Sequence, residues 1–447
     1  MADVAIETAA NYAAADAETT LRLMPIMQKE LERVNGTKLL AEIDMPLTPV
    51  LADMEMTGAL IDTKFFAEMS QELAKRLAEI EKQVFDLAGK TFNLNSPQQL
   101  SDVLFNHLRL EPPDKGRKTT TGFYSTSADV LDAMRGKHPA LDFILEHREL
   151  SKLKSTSVDA LPAAMDPNTG RVHTSYSQIG AVTGRLSSNN PNLQNIPIRT
   201  IEGREVRKAF IPRDADHVLL SADYSQIELR LIAEISGDEA MLDAFQKGLD
   251  IHTATAAGVY GVPLDQVTSD QRRAAKTVNF SIIYGAGATN LSNQLGIKRA
   301  EAKELIENYF KQYSGLKKYM TDIVEFARTN GYVETLLGRR RKLRDIDSRN
   351  GMMRSMAERI AINTPIQGTA ADLIKVAMIN IREALIAGNF QSKMILQVHD
   401  ELVFDVQKDE LERLNPIIFD KMTTAIPNLK VPILVEMGVG ENWLEAH

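Results

Sequence analysis

Met394-Ile395-Leu396-Gln397-Val398-His399-Asp400-Glu401-Leu402-Val403-Phe404-Asp405-Val406 decides the reading of this chain. Two short apolar runs, 394–398 and 402–406, flank three polar residues, a pattern that predicts two strands joined by a tight turn carrying acids. A further apolar run, His217-Val218-Leu219-Leu220-Ser221-Ala222-Asp223, predicts a buried strand that delivers a carboxylate to a sheet edge. Between the two units lie roughly 150 residues of mainly helical period. The fold class is therefore α+β, with a helical insertion inside a sheet-bearing domain. Upstream, Asp62 is placed to cap a long amphipathic helix in which Phe66, Met69, Leu73, Leu77, Ile80, Val84 and Leu87 recur before Gly89. Residues 112–122, polar and interrupted by Pro and Gly, predict an exposed loop, and helical patterning resumes through Arg148 to Lys154.

The 447 residues are enough for two to four lobes with connected cores. The 52 Lys+Arg against 60 Asp+Glu give a net charge of −8, which by itself disfavours a polyanion as partner. The distribution softens this. Residues 1–50 carry 4 basic and 8 acidic side chains and residues 401–447 carry 4 and 9, so the remaining 350 residues carry 44 against 43, a net of +1. Cysteine is absent, which excludes disulfides, thiolate zinc sites and Cys nucleophiles. The first residues have no basic and apolar signal pattern, and no stretch reaches the roughly 18 apolar residues of a membrane span.

Asp223 and Asp400 each end an apolar strand. If the strands are neighbours, the two carboxylates converge, and the pair is stable with a cation between them. Oxygen-only ligands favour Mg²⁺. Single Asp residues at strand ends are also ordinary turn and capping residues, and spacing alone does not separate the two readings. The intervening segment bears on the choice. Thr268 and Gln271 form a potential capping box, and the helix they start places Arg272, Lys276, Phe280 and Tyr284 four residues apart before Gly285. Two cations followed by two rings on one face suit a triphosphate and a stacked base, although a solvated basic turn followed by core aromatics has the same pattern.

Asp223-Tyr224-Ser225-Gln226-Ile227-Glu228-Leu229-Arg230, the Arg272–Gly285 helix and Gln397-Val398-His399-Asp400-Glu401 resemble, in order and spacing, the three polymerase motifs of the family A DNA polymerases, in particular their bacterial branch. Thr183-Gly184-Arg185-Leu186-Ser187-Ser188, Pro191-Asn192-Leu193-Gln194-Asn195-Ile196-Pro197, Asp250-Ile251-His252 and Pro365-Ile366-Gln367-Gly368-Thr369-Ala370-Ala371-Asp372 add further matches, so the resemblance covers nearly the whole chain.

The resemblance implies a right-hand fold: a thumb with its connection to the palm at 46–165, palm at 166–235 and 381–447 around an antiparallel sheet, and mainly helical fingers at 236–380. It implies template-directed addition of dNTPs to a primer 3′-hydroxyl, with release of pyrophosphate, in DNA replication and repair. Asp223, Asp400 and the backbone carbonyl of Tyr224 would bind two Mg²⁺, with Glu401 in a supporting catalytic role. Arg272, Lys276 and His252 would contact the triphosphate, with Lys276 also placed as a proton donor to pyrophosphate; for His252 a plain helix-start role competes. Phe280 would pack on the incoming sugar and base, Tyr284 would occupy the templating-base position, and Gln226 would belong to the same dNTP site. Glu228 falls at the ribose filter, with ordinary surface charge as its competing reading. Arg185, Asn363 and Gln367 would test minor-groove edges at the primer end, and Asn192, Gln194, Asn195, Arg359 and His399 would contact the duplex. For Asn192, Gln194 and Asn195 a polar loop rich in turn residues is a fair alternative. The basic run Arg339-Arg340-Arg341-Lys342 with Arg344 would suit template phosphates, though such runs are commonly just solvated. Family members usually follow Gly-Arg-Arg with an aromatic residue and Pro, where this chain has Lys342 and Arg344.

Tyr12-Ala13-Ala14-Ala15-Asp16 resembles the last acidic motif of the family's 3′→5′ proofreading domain, so residues 1–45 are expected to be a remnant of that domain, without proofreading and without a 5′-nuclease domain. The expected partners are primer-template DNA and dNTPs, with no membrane, for a monomer working in the bacterial cytoplasm at the nucleoid. A polymerase-like DNA binder without catalysis and a single-subunit RNA polymerase are the competing functions. The acid pair with Arg272 and Lys276 argues against the first, and Glu228 with the 183–197 pattern against the second.

Overall fold

A computed structural model describes residues 4–113, 118, 122–198 and 200–447. Most of the expected loop at 112–122 lies outside the described residues. The elements used below are α1 (Ile6–Arg33), α2 (Met45–Thr57), α3 (Thr63–Ala88), α4 (Ala140–Leu153), α5 (Ile201–Lys208), β1 (His217–Tyr224), α6 (Ile227–Ser236), α7 (Ile251–Tyr260), α8 (Ser269–Ile283), α9 (Ser314–Asn330), β2 (Tyr332–Glu334), β3 (Arg340–Lys342), α10 (Gly351–Ala387), β4 (Lys393–Val398), β5 (Glu401–Gln407), α11 (Leu411–Thr423), β6 (Val435–Gly440) and α12 (Trp443–Ala446).

Four antiparallel strands in the order β6-β1-β5-β4 form the central sheet. Because side chains alternate along a strand, each sheet face feeds a different core. Val218, Leu220, Ala222 and Tyr224 of β1, with Leu402, Phe404 and Val406 of β5, join the large core that continues into α6, α10 and α11. Leu219, Leu396, Val398 and Val403 join a second core with Phe210 and Trp443, which runs on into α3 and α4. Both faces are buried, so the strands read as continuous apolar runs rather than alternating ones. A fully buried side chain such as Phe404 or Leu220 contributes roughly 1.5–3 kcal/mol through the area it removes from water.

α3 forms where expected. Asp62 accepts hydrogen bonds from the Lys64 and Phe65 amides at 2.9 and 3.0 Å, and Gly89 ends the helix in the left-handed conformation. The buried stripe closes on Ala88, whereas Leu87 is 38% exposed. The stripe steps by four from Val84 because 3.6 residues make a turn.

Some of the packing crosses the expected lobe boundaries. α2, inside the expected thumb, packs its Leu47, Val50, Leu51 and Met54 into the large sheet core. α10 runs unbroken through the expected boundary at 380/381. α1 buries none of its residues.

The basic run at 339–344 does not form one exposed patch. Arg339 reaches Asp44 at 2.7 Å and the fully buried Asp372 at 2.7 Å, and Thr335 donates to the other Asp372 oxygen at 2.7 Å. Arg340 pairs with Glu334 and lies over the Tyr332 ring, and Arg341 bonds Thr364. Of the five cations only Lys342 and Arg344 are exposed. Arg339 is therefore engaged internally by acids distant in sequence, and Arg340 by Glu334 of the facing strand. Gly184, at φ +84°, lies against Arg339, where a Cβ would fall 2.6 Å from Arg339 Cδ. Arg339→Ala should lower stability by roughly 3 kcal/mol, since it leaves Asp372 buried without its cation. The shift in the urea unfolding midpoint measures this.

Candidate functional site

The acids meet because of the strand register. Glu401 on β5 pairs with Asp223 on β1, and Val398 on β4 pairs with Glu401, which leaves His399-Asp400 as a two-residue turn. His399 takes φ +56°, the left-handed conformation such tight hairpin turns require. The Tyr224 amide then donates to the Asp400 carbonyl at 3.2 Å and ties the turn to the end of β1. Asp223 Oδ1 is buried with no hydrogen-bond partner among the described residues. Burial, then the charges of Asp400 and Glu401, push the Asp223 carboxyl up to about 7, and burial raises Asp400 as well. A cation removes this repulsion. Among the described residues no group of three or more His, Asp and Glu side chains has metal-site geometry. Two carboxylates with an orphaned oxygen still fit Mg²⁺, which takes one or two carboxylates and completes its shell from substrate phosphates and water.

Glu401 is occupied by protein donors, which qualifies its expected catalytic part. Ser221 and Trp443 donate to Oε1 at 2.7 and 2.6 Å, Arg207 to Oε2 at 3.2 Å, and His447 Nδ1 is 3.4 Å away. The Arg207 guanidinium also lies 4.1 Å from the Trp443 ring centre. Burial alone would raise the Glu401 carboxyl, but these donors hold it down at about 2. It stays ionised beside Asp223 and raises it.

The capping box at the start of α8 is present: the Gln271 amide donates to Thr268 Oγ1 at 3.2 Å, and the Thr268 amide to Gln271 Oε1 at 2.9 Å. Arg272 and Lys276 are exposed on the first turns, and Phe280 is partly buried. Tyr284 follows the last helical residue, before Gly285 at φ +74°. Arg272 is not free: Nε and Nη2 reach the two Asp250 oxygens at 3.1 and 2.8 Å. Asp250 also caps α7 through the Thr253 amide at 2.7 Å, and despite its burial these bonds hold its carboxyl down at about 2. Lys276 has no ion pair among the described residues. His252, expected at the phosphates, is only 3% exposed, with its ring 5.9 Å from that of Phe280. Burial lowers its pKa.

A cleft of about 440 Å³ runs from Asp400 to the end of α8. Its walls include Arg185, Tyr224, Glu228, Phe280, Tyr284 and Asp400, and also the expected residues Gln194, Gln226 and His399. Gln226, at φ +55°, turns the chain from β1 into α6 and so places Glu228 on the first turn. One Glu228 oxygen accepts from Arg185 and the other from the Tyr284 hydroxyl. Burial, followed by this carboxylate, pushes the Tyr284 hydroxyl up to about 12. Ordinary surface charge is therefore not the role of Glu228.

The expected DNA contacts divide. Asn192 caps a short turn by accepting from the Gln194 amide at 3.0 Å, and Gln194 bonds Gln397 at 2.9 Å, so both have structural work, while Asn195 is exposed. Asn363 Oδ1 is buried without a hydrogen-bond partner among the described residues, and the Arg359 side chain lies against Gly285, where a Cβ would stand 2.5 Å from its Cγ. Gln367 interacts with the Tyr284 hydroxyl. Asp223, Glu401, His252, Arg272, Lys276, Asn192, Asn195, Arg359, Asn363 and Gln367 are not among the cleft's lining residues.

Sequence reasoning missed Gln397, which is buried and bonds the His399 carbonyl at 2.6 Å. Its signal was a polar residue in an otherwise apolar strand. It also missed Ser221, which carries the same signal in β1, and Arg207, Trp443 and His447 around Glu401, for which local sequence carries no signal.

The family model described as DNA polymerase family A matches residues 63–445. DNA polymerase I of Chloroflexus aurantiacus is 48% identical over 446 residues, covering 99% of this chain and 47% of that protein. DNA polymerase I of Pseudomonas aeruginosa is also 48% identical over 446 residues, covering 99% of this chain and 48% of that protein. Among solved structures, the POL domain of Pol1 from M. smegmatis, in complex with DNA primer-template and dNTP, matches with a TM-score of 0.90 and 42% identity over 95% of this chain and 74% of that one. The chain spans about half the length of the curated relatives it matches. No helix among the described residues is long and apolar enough to cross a membrane.

Proposed function

The chain belongs to DNA polymerase family A, with the α+β right-hand fold of that family, and from this premise we propose that it extends a primer 3′-hydroxyl by template-directed addition of dNTPs. The observation that carries the reading is the strand register that pairs Asp223 with Glu401, with the hydrogen bond from the Tyr224 amide to the Asp400 carbonyl: together they bring two acids 177 positions apart to one end of the sheet, where Asp400 lines the cleft. In this reading the sheet is the palm, the helices from 236 to 380 are the fingers, and the α3–α4 lobe is the thumb. The partners are primer-template DNA and a dNTP, the chain works as a monomer, and its setting is the bacterial nucleoid.

Asp223 and Asp400, with the Tyr224 carbonyl, would hold divalent cations, two Mg²⁺ in this proposal, which when bound supply charge neutralisation and a lowered pKa for the primer hydroxyl. The chain's own groups do the rest. Lys276 Nζ and the Arg272 guanidinium hold the triphosphate and balance the charge that grows as the α-phosphorus bond to pyrophosphate breaks. Lys276 Nζ also gives a proton to the departing pyrophosphate. Phe280 packs on the incoming nucleoside, and Tyr284 holds the templating-base position until the fingers close. Arg185, Asn363 and Gln367 meet minor-groove acceptors common to all base pairs, which tests pair geometry without reading sequence. Primer extension with Mg²⁺, comparing dNTPs with NTPs, tests the proposal. Failure to extend a matched primer with dNTPs sinks it.

Glu228 lies under the sugar in this reading and leaves no room for a 2′-hydroxyl. Glu228→Ala should raise ribonucleotide kcat/KM by roughly 10- to 100-fold relative to dNTP. Because Glu228 also anchors Tyr284, Tyr284→Phe is the control: it removes only the hydroxyl and should leave sugar discrimination unchanged.

A further inference from the structure

A buried polar chain ties α7, α8 and the start of α9 together. Thr255, Asn279 and Tyr313 are fully buried. Thr255 Oγ1 lies 2.7 Å from the Ile251 carbonyl, 2.8 Å from the Tyr313 hydroxyl and 3.1 Å from both Asn279 Nδ2 and Asn279 Oδ1. A hydroxyl has one proton to give. The shortest of these contacts is to a carbonyl, which can only accept, so Thr255 donates to Ile251 and receives protons from Tyr313 and from Asn279 Nδ2. The second Asn279 Nδ2 proton then points at His252 Nδ1, 3.0 Å away. A ring nitrogen that accepts carries no proton, and the imidazole proton is placed on Nε2.

We infer that Asn279 is a positioning residue that holds His252 as the neutral Nε2–H tautomer, so that the imidazole presents one fixed donor to the triphosphate beside Arg272 and Lys276. The inference deepens the polymerase reading and rests on it. Protonating Nδ1 would set two donors against each other inside the core, so the amide opposes the imidazolium that a bound polyanion would otherwise favour. The charged groups facing the ring act in both directions: Arg272 and Lys276 on α8 disfavour its protonation, and Asp250 at the start of α7 favours it. The Phe280 ring closes the remaining side.

Long-range ¹⁵N spectra of the histidine-labelled full chain, with His252→Gln for assignment, read the tautomer directly. Nδ1 of His252 should stay unprotonated from about pH 6 to 9. A protonated Nδ1 at neutral pH overturns the inference, and this measurement needs no Asn279 variant to fold. In steady-state primer extension, Asn279→Leu should raise the dNTP KM roughly tenfold above neutral pH, the size of a lost charge-assisted hydrogen bond, with kcat changed far less, and the increase should shrink toward pH 6 as the unopposed imidazolium forms. Asn279→Asp supplies an acceptor to Nδ1–H, and the dNTP KM should then vary roughly tenfold across the same pH range, where the wild type is flat. An Asn279→Asp profile superimposable on the wild type also overturns the inference. His252→Gln with a wild-type KM would instead sink the triphosphate reading beneath it, while the ring spectra report on Asn279 separately.

Discussion

Asp223→Asn should reduce kcat for primer extension on the order of 10⁴-fold, as expected for removing a charge on which several kcal/mol of transition-state stabilisation depend. The same substitution should make the chain more stable. In the native chain Asp223 has its carboxyl at about 7, well above its ordinary 3.8, because it is buried near Asp400 and Glu401. Between about pH 4 and 7 the folded chain therefore binds more protons than the unfolded chain, and stability falls as pH rises through that window. Asparagine does not titrate. At pH 8, with a chelator present, Asp223→Asn should unfold at higher urea by roughly 1–3 kcal/mol, and its stability should decline less steeply than the wild type's as pH rises, since burial still raises Asp400. Mg²⁺ should raise the wild-type Tm and leave the variant unchanged. A variant with near wild-type kcat, or one less stable than the wild type at pH 8, would remove Asp223 from the proposed centre.

Lys276→Ala should lower dNTP kcat/KM by roughly 10²–10³, the typical cost of deleting one preorganised donor at a site of developing negative charge. Its stability should stay within about 0.5 kcal/mol of the wild type, because Lys276 is exposed and pairs with nothing described. Arg272 offers the contrast. Its guanidinium is held by both Asp250 oxygens, so a triphosphate must compete with or share that carboxylate. Asp250→Asn keeps a good cap for α7 and withdraws the charge, so the dNTP KM should hold or fall while Arg272→Ala raises it. Stopped-flow single-nucleotide incorporation separates kcat from KM for all three. A Lys276→Ala enzyme with unaltered kcat/KM would contradict the assignment of α8 as the phosphate-binding helix.

The site was legible wherever a local pattern carries its own cause. The Thr268–Gln271 capping box, the Asp62 cap and the strands ending at Asp223 and flanking His399-Asp400 follow from hydrogen bonds and periodicities that span a few residues. What escaped depends on which charges burial brings together. Asp44 and Arg339 are 295 positions apart, Arg207 and Glu401 194, and nothing near Arg339 distinguishes a cation that will be buried from one that will meet DNA. His252 was assigned by its motif to the phosphates, and its burial behind Phe280 is visible only once α7 and α8 pack.

The sequence by itself determined the α+β class, the two acid-bearing strand units, the cation–aromatic order of α8 and the family, because these rest on near-neighbour geometry and on several motifs in one order. Only the tertiary structure decided the state of each charge: Asp223 raised, its Oδ1 without a partner among the described residues, Glu401 held by Arg207, Ser221, Trp443 and His447, Arg272 tied to Asp250, and Glu228 shared by Arg185 and Tyr284. A side chain's ionisable group is fixed by its type, but its pKa, hence its charge, and its availability are set by burial and by partners within a few ångströms, and those are properties of the packed chain.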